Sequence, residues 1–297
     1  MPFDSHFTKQ NSLVKTIGIG HLGCMIVDQL RSYPEYEIYK FTDEAVRAHE
    51  FSLGTLKTME EYESSFPYEE AISYLRTIKR DDNVVVFMEG GEAINGCLLR
   101  VLEIIKDTHI TFFFVRPSLS LKGDAVVENT RLTFGVCQEY ARSGIFERMI
   151  FLDKEKIESL VGDVPITAYE ERIAQLIAYK FAMMMFFENS DFVMSNIGER
   201  PLGCRIATFG VSSLEDENPQ IYMLHNLEKI RTVEFYYGIS QEDIDEDASL
   251  VNTIKSHVTY ISDSLPDNPS FTYGVSPLQT EEKYLLGLFY ISEPQKL

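Results

Sequence analysis

Apolar residues in the first half of the chain gather in short runs that alternate with stretches of helical spacing. Residues Leu13 to Ile19 (LVKTIGI) form one such run, and CMIVDQLRSY behind it carries apolar positions three and four apart. The pair predicts a strand, a glycine turn and a helix. A second run, EIYKFTD at 37–43, alternates like a strand and stops at an acid where a βαβ unit would return to the sheet, so the sheet is expected to be parallel. The alternation continues with EEAISYLRTIKR as helix, NVVVFM as buried strand, CLLRVLEIIKD as helix and ITFFFVRP as a buried strand ended by Pro117. RLTFGVCQEYARSGIFERMIFLDKEKIESLVG adds a helix, the strand RMIFLD and a short helix. Residues 12–165 thus read as a doubly wound, Rossmann-like α/β domain.

Residues 166–189, ITAYEERIAQLIAYKFAMMMFFEN, read as about six helical turns that begin amphipathic and become apolar all round. Such a helix is buried on every side and connects two domains. Its run Met183 to Met185 suits core filling better than a soft-metal site. Over 190–297 the pattern becomes that of a smaller α+β domain: CRIATFGVSS, a helix around IYMLHNLEKI, the strand VEFYYGIS and the helix EDASLVNTIKSHVTYIS. SFTYGVSP and KYLLGLFYIS, joined by PLQTEE, predict an antiparallel hairpin. Neither an internal repeat nor a low-complexity stretch is present.

Composition narrows the class. Of 297 residues, 44% are hydrophobic and 12% aromatic, enough for a substantial core. A net charge of −19, with 46 acidic against 27 basic residues, disfavours nucleic acid and anionic membrane as partners. The start MPFDSHFTKQ lacks the basic flank and apolar region of a secretory signal, and no apolar run is long enough to span a bilayer. A cytoplasmic protein without direct membrane insertion is expected. Cys24, Cys97, Cys137 and Cys204 stand far apart with no CxxC pair, which predicts free buried thiols and no metal site.

Three places could carry chemistry. Gly18, Gly20 and Gly23 form a GxGxxG between strand and helix, where backbone amides and the helix dipole favour a phosphate. A tight turn needs glycine with or without a ligand, so both readings stand. Asp43 ends the second strand, where a dinucleotide site keeps an acid for ribose hydroxyls, and it equally suits the cap of a helix EAVRAHEF. The third place is GGEAING at 90–96, with Gly90, Gly91, Asn95 and Gly96 around Glu92.

GGEAING stands where the FtsZ/tubulin family has the GGGTGTG loop that wraps the phosphates of GTP, and the chain resembles that family. NSDFVMSNIGERPLGCRIATFGVSS at 189–213 is similar without a gap to the family's NxDFxD loop and the strand after it, with Asn189, Asp191 and Phe192 matching. VEFYYGIS, the helix through Ile254, SFTYGVSP and KYLLGLFYIS follow the order of the family's C-terminal domain. The likeness covers nearly the whole chain. It implies a tubulin/FtsZ-like fold and head-to-tail self-association or a protein partner. It also implies GTP with Mg²⁺ as the ligand, hydrolysed when Asn189 and Asp191 of one subunit reach the next subunit's nucleotide.

Several residues depart from that pattern. Met194 stands where FtsZ has the second acid, and a thioether cannot orient water. Glu92 replaces a loop glycine and opposes phosphate, Ala93 and Ile94 remove a hydroxyl donor and a small residue, and Cys24 and Met25 replace a glycine and an asparagine. SLGTLKTMEEYESSFP is short and acidic where FtsZ has another glycine-rich loop, with Glu60, Glu61 and Glu63 adding repulsion. The guanine contacts fall around Glu171 to Ala174, where no match aligns.

The reading that follows is a tubulin-like pseudo-GTPase, cytoskeletal in kind, that acts by association as a filament, oligomer or platform and needs no cofactor. Its alternative is a divergent GTPase that forms head-to-tail filaments. An NAD-dependent oxidoreductase built on GIGHLG and Asp43 accounts for the first 43 residues only. His21 and His257 are expected to be exposed or capping. The chain ends seven residues after Tyr290, which predicts no tail-mediated adaptor binding.

Overall fold

A computed structural model of the chain describes residues 13–44, 50–119, 122–201, 203–212, 214, 219–266, 268–278 and 284–295. These fall into two compact units, one reaching to Tyr179 and one running from Lys180 to Gln295. The helix EAVRAHEF that Asp43 could have capped lies largely outside the described residues.

The first unit begins with β1 (Val14–Ile19), α1 (Gly20–Gln29), β2 (Tyr36–Thr42), β3 (Phe51–Ser52), α2 (Met59–Ser64) and α3 (Tyr68–Tyr74). It continues with β4 (Asn83–Glu89), a 3₁₀ turn over Ala93–Cys97, α4 (Leu98–Ile105), β5 (His109–Arg116), α5 (Asp124–Ser143), β6 (Phe146–Asp153) and α6 (Lys154–Val161). Its strands lie in the order β3-β2-β1-β4-β5-β6, each pair parallel. β4 and β5 are interior strands of this sheet, and their apolar runs follow from burial on both faces. The chain order reverses between β1 and β4. Ligands of doubly wound sheets bind at that switch point, beyond the carboxyl ends of the strands. α5 is longer than its apolar pattern suggested and stops at Gly144, whose φ of +86° gives a left-handed cap.

After a 3₁₀ turn over Ile166–Ala168, α7 runs through Tyr169–Asn189. Its second half buries Phe181, Met183, Met184, Met185 and Phe187, so the methionine run is core. The second unit adds β7 (Met194–Ser195), β8 (Ile206–Val211), β9 (Tyr222–Met223), β10 (Thr232–Ile239), α8 (Gln241–Glu246), α9 (Leu250–Ser264), β11 (Ser270–Pro277) and β12 (Tyr284–Ile291). Its strand order is β8-β12-β10-β11-β7, with β9 on the other side of β8.

Two expectations fail in this unit. The helix around IYMLHNLEKI is absent: Tyr222 and Met223 form β9 against Gly210 and Val211, and the Leu224 N–H donates to the Phe209 carbonyl at 2.8 Å. Pairing with a strand edge outweighs the helical spacing of this segment. β11 and β12 also do not form a hairpin. β10 lies between them, parallel to β11 and antiparallel to β12. α8 and α9 carry the chain back to run alongside β10, which leaves the opposite edge of β10 for β12.

Candidate functional site

The switch point brings together the turns after β1 and β4. Gly18 and Gly23 touch within the first: a Cβ on Gly18 would lie 2.4 Å from the Gly23 carbonyl oxygen, and one on Gly23 would lie 2.4 Å from that of Phe87. Packing of α1 onto β4 therefore demands these glycines without reference to a ligand. Gly20 has φ +74°, and a Cβ there would lie 1.9 Å from Glu92 Oε2. The Glu92 carboxylate thus sits on the first turn of α1, where Oε2 accepts from the His21 backbone N–H at 3.2 Å. Ile19 at the helix cap supplies no side-chain acceptor, so Glu92 provides it from another turn.

Burial raises the Glu92 carboxyl from the ordinary 4.5 to about 7; the negative charges of Glu89 and Asp43 add to the rise, and the His21 N–H opposes it. Asp43 is half-buried, and its backbone carbonyl accepts from the Thr55 hydroxyl at 3.2 Å. Gly90 is held by its N–H on the Val115 carbonyl, and Gly91 has φ +90°. Asn95 is buried and donates its amide to the carbonyl of Glu89, the last residue of β4, at 2.9 Å.

A second feature of this edge was not foreseen. Lys154, buried at the start of α6, bonds Glu89 Oε1 at 3.0 Å and both carboxylate oxygens of Glu170 at 2.9 Å. Burial pulls the Lys154 ammonium down, but the two carboxylates outweigh it and hold it above the usual lysine range. Burial raises the Glu89 carboxyl, with Lys154 partly offsetting. Arg116 likewise bonds Asp153 at 2.9 Å. Both cations are already engaged by the chain's own acids. The sequence signal was an acid closing an apolar strand and a lysine after another such strand, a pattern too common to act on.

Asn189, Asp191 and Met194 belong to the second unit, and the glycine turns to the first. Asn189 closes α7 with its amide on the Met185 carbonyl at 2.7 Å, and Asp191 is exposed. The loop is clamped to β11: the Val193 N–H donates to Val275, Met194 pairs with Val275, and the Tyr273 N–H donates to Asn196 Oδ1 at 2.6 Å. Phe192 fills the space where Gly274 lacks a side chain.

His257 departs from expectation. It is buried in α9, with Nδ1 at 2.9 Å from the Tyr237 hydroxyl and Nε2 at 3.3 Å from that of Ser212; burial lowers it to about 4. His21 is exposed, near Glu44 at 3.8 Å. All four cysteines are buried and free, and no group of three or more His, Cys, Asp or Glu is placed to hold a metal among the described residues. No described helix is long and apolar enough to cross a membrane.

No family model and no curated protein matches the chain. Solved structures do. An FtsZ dimer from M. jannaschii aligns with TM-score 0.69 and 13% identity, covering 96% of this chain and 89% of that one. CetZ2 from Haloferax volcanii, a GTPγS-bound protofilament, gives 0.72 and 12%, covering 93% and 92%. A GTPγS-form protofilament of TubZ from Bacillus thuringiensis serovar israelensis gives 0.69 and 11%, covering 95% and 86%. The chain has the tubulin/FtsZ fold. Within that fold the turns at Gly18–Gly23 and Gly90–Gly96 meet at the switch-point edge of the sheet, and Glu92 is the side chain that enters between them.

Proposed function

We propose that the chain acts by association, as a tubulin-like protein that assembles with itself or a partner and has weak or no GTP binding and hydrolysis. The observation that carries this reading is the Glu92 carboxylate on the first turn of α1, accepting from His21. A helix N-terminus attracts one anion, and here the chain supplies its own. GTP does not fit this arrangement: its phosphates would meet Glu92 and Glu89, while Lys154 and Arg116 are bound to acids. Met194 in place of an acid removes a water-polarising group from the opposite loop. The assembled state of the CetZ2 and TubZ structures supports head-to-tail association as the mode.

A second reading, a divergent GTPase, draws on one observation. With its carboxyl at about 7, Glu92 is partly neutral near physiological pH, which lessens its repulsion of phosphate. Asp191 then serves the neighbouring subunit's nucleotide.

Calorimetric titration of nucleotide-stripped protein with GTP and Mg²⁺, with NAD as control, separates the two. The association reading expects no saturable heat with either ligand, together with sedimentable assemblies that form without nucleotide. Saturable GTP binding with phosphate release that rises faster than protein concentration would overturn it.

A further inference from the structure

Gly96 lets two backbones meet: a Cβ there would lie 2.0 Å from the Met59 carbonyl oxygen. That approach seats α2 against the 93–97 turn, and beside it a cavity of about 190 Å³ opens among α2, α4 and α5. Leu98, Leu99, Leu132 and Val136 give it apolar walls, with Leu132 59% exposed at the rim. The Thr133 hydroxyl is spent within its own helix, donating to the Asn129 carbonyl at 2.8 Å. One lining residue, Asn95, does not suit this company. Asn95 is 2% exposed, and its Oδ1 is buried with no hydrogen-bond partner among the described residues, although its amide nitrogen is bonded to Glu89. A buried acceptor left unmade is costly, and a donor arriving in the cavity removes that cost.

We propose that this cavity binds a compact apolar molecule, about one aromatic ring in size, whose single N–H or O–H donates to Asn95 Oδ1. The volume sets the size, because a dry cavity of about 150 Å³ already admits benzene. Glu60 and Glu63 also line the opening, and Arg100 offsets the latter, at 3.6 Å. Anionic ligands are therefore excluded, and neutral or cationic donors are admitted. The site shares Asn95 and Gly96 with the turn after β4 but is independent of whether that turn holds GTP.

Phenol and anisole test it, since they share a ring and differ in the donor. Amide shifts of ¹⁵N-labelled full-length protein are followed as each is added. Phenol is expected to saturate shifts at Asn95, Leu99 and Thr133, and anisole to bind about tenfold more weakly. Asn95→Leu brings the two affinities together. Leu132→Trp, a change at an exposed position, closes the rim and abolishes both; it carries the test if the Asn95 variant does not fold. Equal affinities in the wild type, no saturation, or binding undiminished by Leu132→Trp would overturn the proposal.

Discussion

The carboxylate of Glu92 accepts a hydrogen bond from the backbone of His21 across 71 positions of sequence. It links the turns after two neighbouring strands and places a titratable acid on the positive end of α1.

That acid is expected to make stability fall with rising pH. Its folded value, about 7, exceeds the ordinary 4.5, so ionisation costs more in the folded protein. The penalty is absent below pH 4.5 and is complete above 7. Relative to Glu92→Gln, wild type is expected to lose about 2–3 kcal/mol across this window. Urea midpoints of both proteins from pH 4.5 to 8 measure it, and parallel curves would count against a half-buried Glu92 that ionises at a cost.

Glu92→Gly tests the same charge from the ligand side. At pH 8, where Glu92 is ionised, the variant is expected to bind GTP with Mg²⁺ at least about tenfold more tightly, the lower end of what one like charge in a partly dry site costs. Calorimetry reads the difference. No gain would show that Glu92 does not oppose nucleotide.

Lys154→Met leaves Glu89 buried without its cation and is expected to cost about 3–5 kcal/mol. Adding Glu89→Leu removes the stranded charge and recovers most of that loss. Denaturant unfolding of the two single variants and the double variant gives the coupling; additive losses would mean that the ion pair at 3.0 Å is energetically idle.

His257 gives the opposite pH dependence. Burial holds it neutral, at about 4 against an ordinary 6.5. Its contribution is present above pH 6.5 and is lost as pH falls towards 4, by about 3 kcal/mol at most. His257→Gln is expected to flatten stability over that range, and an unchanged acid limb would show that other groups govern it.

The first unit was legible where burial is two-sided. VVVFM at 84–88 and FFFV at 112–115 are apolar and buried throughout because strands flank them on both sides and both faces are covered. Glu92 was legible as an intruder, but its partner was not, because no local pattern records contact with His21. The Lys154 pairs, 65 and 16 positions apart, were hidden for the same reason. The second unit misled the reading at β11 and β12. Neighbours in sequence need not be neighbours in a sheet, and the segment that joins them had to pass β10. His257 shares the buried stripe of α9 with Leu250, Ile254 and Ile261, a spacing that marked it as inward-facing, whereas its partners Tyr237 and Ser212 lie elsewhere in the chain and left no local sign.

The contact of Gly18 with Gly23, and of Gly23 with Phe87, bears on what a glycine fingerprint reports. A library randomised at positions 18 and 23 and selected for folding alone, with no nucleotide present, is expected to return glycine at both. The fingerprint would then survive as a record of how a helix is welded to a strand, and a reader who scanned for it would find a binding motif in a protein that had never been asked to bind.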